Sequence, residues 1–187
     1  ATEHSCVLET ARYLETLGAT LTLLPVGDDG LVDMAAVATA MGDDVALVSA
    51  MLVNNEIGVI QPIAAIARHA HGCGALMHCD AAQGFGKVPI DVGALGVDLL
   101  SVTAHKCYGP KGIGALYVAP GIELTPLLHG GGQEDGRSGT LPTALCVGFG
   151  AAAAFAVAEL DVDAAHARAL RDRLLHQLDR KSDDALP

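Results

Sequence analysis

The chain has 187 residues, 51% of them hydrophobic but only 3% aromatic and none Trp, which is enough to bury one core built from small and aliphatic side chains. Eleven Lys and Arg against 22 Asp and Glu leave a net charge of −11, which repels a phosphate backbone and excludes nucleic acid as an expected partner. No apolar run has the length to cross a bilayer, so no membrane association is expected, and five irregularly spaced cysteines (Cys6, Cys73, Cys79, Cys107, Cys146) form no disulfide framework and point to a reducing, cytoplasmic setting.

In chain order, residues 3–17 have helical periodicity and stop at Gly18, and 20–26 (TLTLLPV) read as a strand. A turn at Gly27-Asp28-Asp29-Gly30 leads to a short helix at about 33–41. Residues 45–53 (VALVSAMLV) are a continuous apolar run, as in a strand covered on both faces. Pro62 opens a helix that runs to about His71, where Gly72 and Gly74 stop it. Further strands are expected at 75–79, 97–103 and 113–118, and an Ala-rich helix at 141–160. Asp161 or Asp163 could cap a last helix reaching about Arg180, with a frayed tail at 181–187. Strands alternating with helices imply βαβ units, hence an α/β fold with a mainly parallel sheet. The start at Ala1, without an initiator Met and inside a polar cluster, suggests a piece of something larger.

In open α/β sheets ligands gather at the carboxyl ends of strands. Three predicted strands end in polar clusters there: Asn54-Asn55-Glu56, Asp80-Ala81-Ala82-Gln83 and Thr103-Ala104-His105-Lys106. Each alone reads as ordinary loop, since a strand must turn polar somewhere. Together they bring an amide, a carboxylate, a histidine and a lysine to one edge, in a chain whose lysines are only Lys87, Lys106, Lys111 and Lys181. A lysine amine forms a Schiff base with a carbonyl-bearing cofactor. Pyridoxal-5′-phosphate (PLP) also needs an anion at its ring nitrogen. Asp80, closing an apolar strand, suits that task, although it would equally serve as an N-cap for a segment beginning near Ala81. Thr103 and His105 offer hydroxyl and imidazole donors for a phosphate.

The stretches VNNEIG (53–58), HCDAAQGFGKVPID (78–91), SVTAHKCYGPKGIGALYV (101–118) and HGGGQEDGRSGTLP (129–142) resemble the class I cysteine desulfurases, in unbroken order from about residue 2 to 160. The resemblance implies the large domain of a fold type I PLP-dependent transferase, a three-layer α/β/α arrangement. Residues 1–160 would form that domain without its N-terminal part, and 161–187 a helix and tail leading toward an absent small domain. It further implies a homodimer acting on L-cysteine, with alanine as product. The sulfur would pass to an enzyme cysteine, and on to a scaffold protein for iron–sulfur cluster or thio-cofactor assembly. By position, Lys106 would hold PLP and Asp80 would pair with its ring nitrogen. Gln83 would bond its phenolic oxygen, and His4 of the Thr2-Glu3-His4 opening would stack on the ring and assist proton transfer. Asn55 would lie beside cofactor and substrate. Thr103 and His105 would hold the phosphate, joined by Thr140 from the partner subunit.

Family members are considerably longer, with a phosphate-holding turn before the TEH segment and a small domain that carries the sulfur-accepting cysteine. None of the five cysteines here occupies that position: Cys107 should be a packed neighbour of Lys106, Cys79 should face away from Asp80, Cys146 should be core, and Cys6 helix surface or core. The loop HGGGQEDGRSGT is one residue shorter than the usual form, and Thr103-Ala104-His105 replaces a commoner Ser-Gly-His. A zinc site from His69, His71, Cys73, His78 and Cys79 lacks zinc spacing, so no metal is expected. GPKGIG lacks the Gly-Lys-Ser/Thr end of a P-loop and precedes a strand. Two rivals share the ancestry: a non-catalytic truncated scaffold that keeps the dimer-forming surface, and a sister PLP activity such as selenocysteine lyase or aminotransferase. The expectation is partial PLP binding without desulfuration.

Overall fold

Apolar runs alternating with an amphipathic helix build the sheet. The computed structural model describes residues 2–134 and 136–183. Strands β1 (Leu47–Met51), β2 (Leu76–Asp80), β3 (Leu99–Thr103) and β4 (Gly114–Val118) form one sheet in that order. The first three run parallel, with Met51 opposite Asp80 and Asp80 opposite Ser101. β4 returns antiparallel, Thr103 facing Gly114. The helices are α1 (Ser5–Thr16), α2 (Met34–Ala40), α3 (Ile63–Gly72), α4 (Val92–Leu95), α5 (Thr143–Ala158) and α6 (Leu160–Asp183).

One face of the sheet carries Val48, Met77, Cys79 and Leu100, all buried. Helix α3 lies against β1 and β2 and presents Ile63, Ile66, Ala67 and Ala70, the spacing of a single helical stripe. Val37 of α2 and Val97 complete this core. Full burial of Ile63 and of Ile66 contributes about 1.5–3 kcal/mol each. The opposite face is polar where it matters: Ser49, His78, Asp80, Ser101 and Thr103 alternate with the core residues along β1, β2 and β3.

Four expectations need correction. Residues 20–26 form no strand but an extended segment with one antiparallel bridge, Val26 to Val32; Pro25 has no N–H to give a ladder, and the segment runs largely in solvent. Helix α4 was not foreseen because four residues show no period, yet its ends were readable: Asp91 accepts from Ala94 N, and Gly96 is left-handed at φ 66°. The break expected between the two C-terminal helices falls at Glu159, with a bend of 69°. Asp161 and Asp163 therefore stand inside the first turn of α6, where the helix dipole favours carboxylates, and do not cap it. Finally Cys146, expected in the core, is exposed: α5 is apolar all round yet buries only Ala156. Among the described residues no single helix is long and apolar enough to cross a membrane. Helix α6 continues through residue 183, and residues 184–187 of the expected tail lie outside the described residues.

Asp98 ties the core helix to the sheet, accepting from Met77 N at 2.7 Å and lying 2.8 Å from His71 Nε2 at the end of α3. Burial pushes its carboxyl up, but the Met77 N–H and the His71 ring outweigh that and hold it below the usual range. A depressed carboxylate stabilises the fold above its unfolded pKa, and the contribution is lost as pH falls through the folded value. Asp98→Asn should therefore cost about 1–2 kcal/mol near neutral pH. In urea titrations at several pH values the gap to wild type should close below about pH 4.

Candidate active site

The parallel register places the ends of β1, β2 and β3 at one edge, and the N-terminal segment is fastened there. Leu52 N donates to Asp80 O, so on β1 the neighbouring Met51 N–H points outward from the sheet; Glu3 Oε1 accepts it at 2.8 Å. Asn54 Nδ2 donates to Thr2 O at 2.9 Å, while Asn54 Oδ1 accepts from Glu56 N and Ile57 N, both at 2.9 Å. This side-chain turn displays Asn55 at an exposed tip. His4 caps α1 through Nδ1, which accepts from Cys6 N at 3.2 Å and lies 3.0 Å from Cys6 Sγ, and its ring is exposed. The second Glu3 oxygen is buried and has no hydrogen-bond partner among the described residues. Burial pushes that carboxyl up against the Met51 bond, with Asp80 adding repulsion.

Asp80 is buried, and its Oδ1 accepts from Ala82 N at 2.9 Å. The cap geometry is real, but it closes a turn and not a helix. It occupies one oxygen, and among the described residues no hydrogen bond reaches Oδ2, the atom that would face a cationic partner. Gln83 Oε1 accepts from Lys87 Nζ at 3.1 Å, which leaves the Gln83 amide nitrogen as a donor. Both residues follow from the tight turn after β2, whose Gly86 is left-handed at φ 73°.

After β3 the chain enters a 3₁₀ turn, Ala104–Lys106. Thr103 Oγ1 and His105 Nδ1 lie 2.9 Å apart, so the two residues expected at the phosphate are held together. Lys106 is half-buried and lines a cavity of about 270 Å³ floored by Gly86, Cys107, Ala152 and Ala156, with Glu159 and Asp163 on its wall. Asp80 is not part of this wall; it lies one strand over. Three glycines set the turn. A Cβ on Gly86 would stand 2.8 Å from that of Ala156, one on Gly109 would stand 2.9 Å from Ala104 O, and one on Gly114 would stand 2.6 Å from Val102 O. The glycines of GPKGIG thus serve close backbone packing around Lys106 and form no phosphate cradle of their own. Between them Tyr108 takes φ 64°, uncommon for a bulky residue, with its side chain in solvent.

Thr140 is exposed on the loop between β4 and α5, with no hydrogen bond to Thr103, His105 or Lys106 among the described residues. The loop is pinned by Ser138 N donating to Leu128 O at 3.0 Å and Gly139 N donating to Gln133 Oε1 at 3.4 Å. The structure thus brings Asp80, Gln83, Thr103, His105 and Lys106 to one sheet edge, joins the His4 segment to it through Glu3, and leaves Thr140 apart. Glu3 and Asn54 are the residues that motif reading passed over. Glu3 stands inside the same TEH motif, and Asn54 follows the strand directly; both signals were present.

Of the thiols, Cys107 is buried and turned to Ala104 O at 3.2 Å, and Cys79 is buried on the core face. Burial, then Asp80 and Glu3, push the Cys79 thiol up to about 12. The residues weighed for zinc go elsewhere: His71 to Asp98, Cys73 to Ala70 O, and His78 and Cys79 to opposite faces. The donor set at the edge suits PLP: an amine for its aldehyde, a buried carboxylate with a free oxygen for its ring nitrogen, an amide donor, and a hydroxyl–imidazole pair for its phosphate.

The chain matches the aminotransferase class-V family over residues 1–185. It is 50% identical over 182 residues to the cysteine desulfurase IscS of Rickettsia rickettsii (strain Iowa), covering 96% of this chain and 44% of that protein. A solved NifS-like protein superimposes with a TM-score of 0.92 at 41% identity, covering 96% of this chain and 50% of that one. A structure of SspA in complex with cysteine gives a TM-score of 0.78 at 48% identity, covering 81% and 45%. The chain spans less than half the length of the curated relative it matches.

Two outcomes follow from this geometry. Alkylation at about pH 8 should label the exposed Cys6 and Cys146 in the native chain and reach Cys79 only after denaturation, as read by mass spectrometry. Gly114→Ala should cost about 1–3 kcal/mol in chemical denaturation, since backbone and not a flexible side chain meets the new methyl.

Proposed function

This chain belongs to the aminotransferase class-V family, and on that premise we propose that it forms the lysine-bearing part of a PLP site of the cysteine desulfurase type, with L-cysteine as substrate. The observation that carries the reading is that Asp80 and Gln83, and Thr103, His105 and Lys106, close two neighbouring parallel strands, β2 and β3, at one edge of the sheet. When bound, PLP supplies an electron sink for negative charge at the substrate's α-carbon. The chain's own residues have separable tasks. Lys106 offers its amine for covalent attachment, in a turn that small residues hold tightly. Asp80, taken out of water, offers a carboxylate whose attraction for a ring cation is strengthened by low dielectric. Gln83, with its oxygen occupied by Lys87, donates from nitrogen to the phenolic oxygen. Thr103 and His105 hold the phosphate. His4 stacks over the ring and moves a proton, with Nδ1 committed to the α1 cap and Nε2 free for that task. Asn55 lies on the exposed turn beside the substrate.

Desulfuration also needs a thiol to take the sulfur. Cys107 is turned into the protein, Cys79 lies across the sheet, Cys73 bonds Ala70 O at the end of α3, and none of the five cysteines, the exposed Cys6 and Cys146 included, occupies the position that the resemblance gives to the sulfur acceptor. We therefore infer that this chain alone binds PLP without releasing alanine. The exposed Thr140 loop and the uncovered apolar surface of α5, where Val147, Phe155 and Val157 are in solvent, support a homodimer in which Thr140 reaches the other subunit's phosphate. A scaffold protein of iron–sulfur or thio-cofactor assembly would receive the sulfur in the complete system, and the five free cysteines fit a cytoplasmic setting.

Mixing the chain with PLP should give the visible absorbance of a lysine Schiff base, which Lys106→Ala abolishes. Asp80→Asn should weaken PLP binding by about tenfold. Incubation with L-cysteine should yield no alanine; measurable alanine would overturn the assignment of the thiols, and absence of the lysine-dependent absorbance would overturn the cofactor reading.

A further inference from the structure

On the sheet face away from α3, Ser49 of β1 is in register with His78 of β2, and Ser101 of β3 lies diagonally from His78, opposite Asp80. The Ser49 hydroxyl is 2.8 Å from His78 Nδ1, and the Ser101 hydroxyl is 2.9 Å from His78 Nε2. One ring is thus tied at both nitrogens across three parallel strands. A neutral imidazole has one donor and one acceptor, and the two hydroxyls satisfy both. Asp80 follows His78 by two residues and therefore shares its face. Its register partner on β3 is Ser101 and on β1 Met51, so the tie crosses the sheet directly behind the carboxylate.

This arrangement bears on Asp80 in two ways. Apolar contacts tolerate a lateral slide of one strand past another, whereas two directional hydrogen bonds to a rigid ring do not; the aim of the last residue of β2 is set by that register. A cationic ring here would compete with the cofactor for the Asp80 charge. Burial holds the His78 pKa low against the pull of Asp80, which keeps the ring neutral.

We propose that His78 is a positioning residue for Asp80: tied to Ser49 and Ser101, it fixes the direction of the Asp80 carboxylate and leaves its charge for the ring nitrogen of PLP. The inference rests on the PLP reading above. Neither serine nor His78 touches the cofactor in this scheme, so the effect passes through Asp80.

The test is a mutant cycle read as PLP affinity by visible absorbance, with imidazole ¹⁵N shifts of His78 as a readout independent of the cofactor. His78→Leu and the pair Ser49→Ala/Ser101→Ala should each raise the Kd for PLP by about tenfold, and His78→Gln, whose amide again pairs an acceptor with a donor, should stay within about twofold. His78→Leu should add nothing in an Asp80→Asn background, which a merely structural loss would not obey. The ¹⁵N shifts should report a neutral, hydrogen-bonded ring. Losses that add to those of Asp80→Asn, a His78→Leu chain that binds PLP as wild type does, or a cationic ring at neutral pH would each overturn the role of His78. A wild-type chain that takes up no PLP overturns the cofactor reading and this inference with it. If His78→Leu does not fold, the serine pair, which leaves the ring in place, decides the question in the same way.

Discussion

Everything at the candidate site depends on the parallel pairing of β1, β2 and β3. Parallel strands send all their carboxyl ends to one edge, so residues distant in sequence are delivered together by backbone hydrogen bonds before any side chain acts. The pairing of Met51 with Asp80 and of Asp80 with Ser101 is therefore a functional dimension as well as a structural one. A one-residue slip in β2 would turn Asp80 into the core and bring Cys79 to the site face. The core residues resist that slip: Met77 and Cys79 are fully buried under α3, and neither position accepts a charge.

The lysine turn obeys a different constraint, namely closeness. Gly86, Gly109 and Gly114 each stand where a methyl group would meet a neighbour at less than 3 Å. Gly86 lets the loop after β2 approach Ala156 of α5, Gly109 lets the turn after β3 close on Ala104 O, and Gly114 lets β4 lie close to Val102 of β3. Close packing of this kind limits the orientations open to the Lys106 side chain. Tyr108, held left-handed between these glycines, shows that the surrounding packing decides the backbone here even against local preference.

The legible parts were those governed by period and punctuation. The four sheet strands are legible as apolar runs, three of them closed by polar clusters, and α3 by its Pro62 start and Gly72-Cys73-Gly74 end. Lys106 and Asp80 could be singled out because a rare lysine and a carboxylate both closed such runs. What escaped were relations across the sequence. Glu3 meets Met51, and Asn54 meets Thr2, through contacts that no local pattern encodes. Residues 20–26 looked like a strand because composition describes a side chain's preference and not whether a partner edge exists. Cys146 looked like core because α5 is apolar on every side; what covers such a helix is not written in the helix.

The charges at the edge explain why Glu3 is built as it is. Asp80 and Glu3 share the neighbourhood of β1 and β2, and two full negative charges held out of water repel each other. Burial is the largest cause raising the Glu3 pKa, Asp80 adds to it, and the Met51 N–H bonded to the inner oxygen opposes it. A carboxyl that protonates more readily keeps its hydrogen bond to the strand edge, since the bonded oxygen still accepts, and relaxes its repulsion of Asp80. Glutamine at this position would preserve the acceptor and remove the charge altogether. The segment carrying His4 is thus anchored to the strand edge by a bond that holds whether or not the Glu3 carboxyl is charged, since the bonded oxygen accepts in either state.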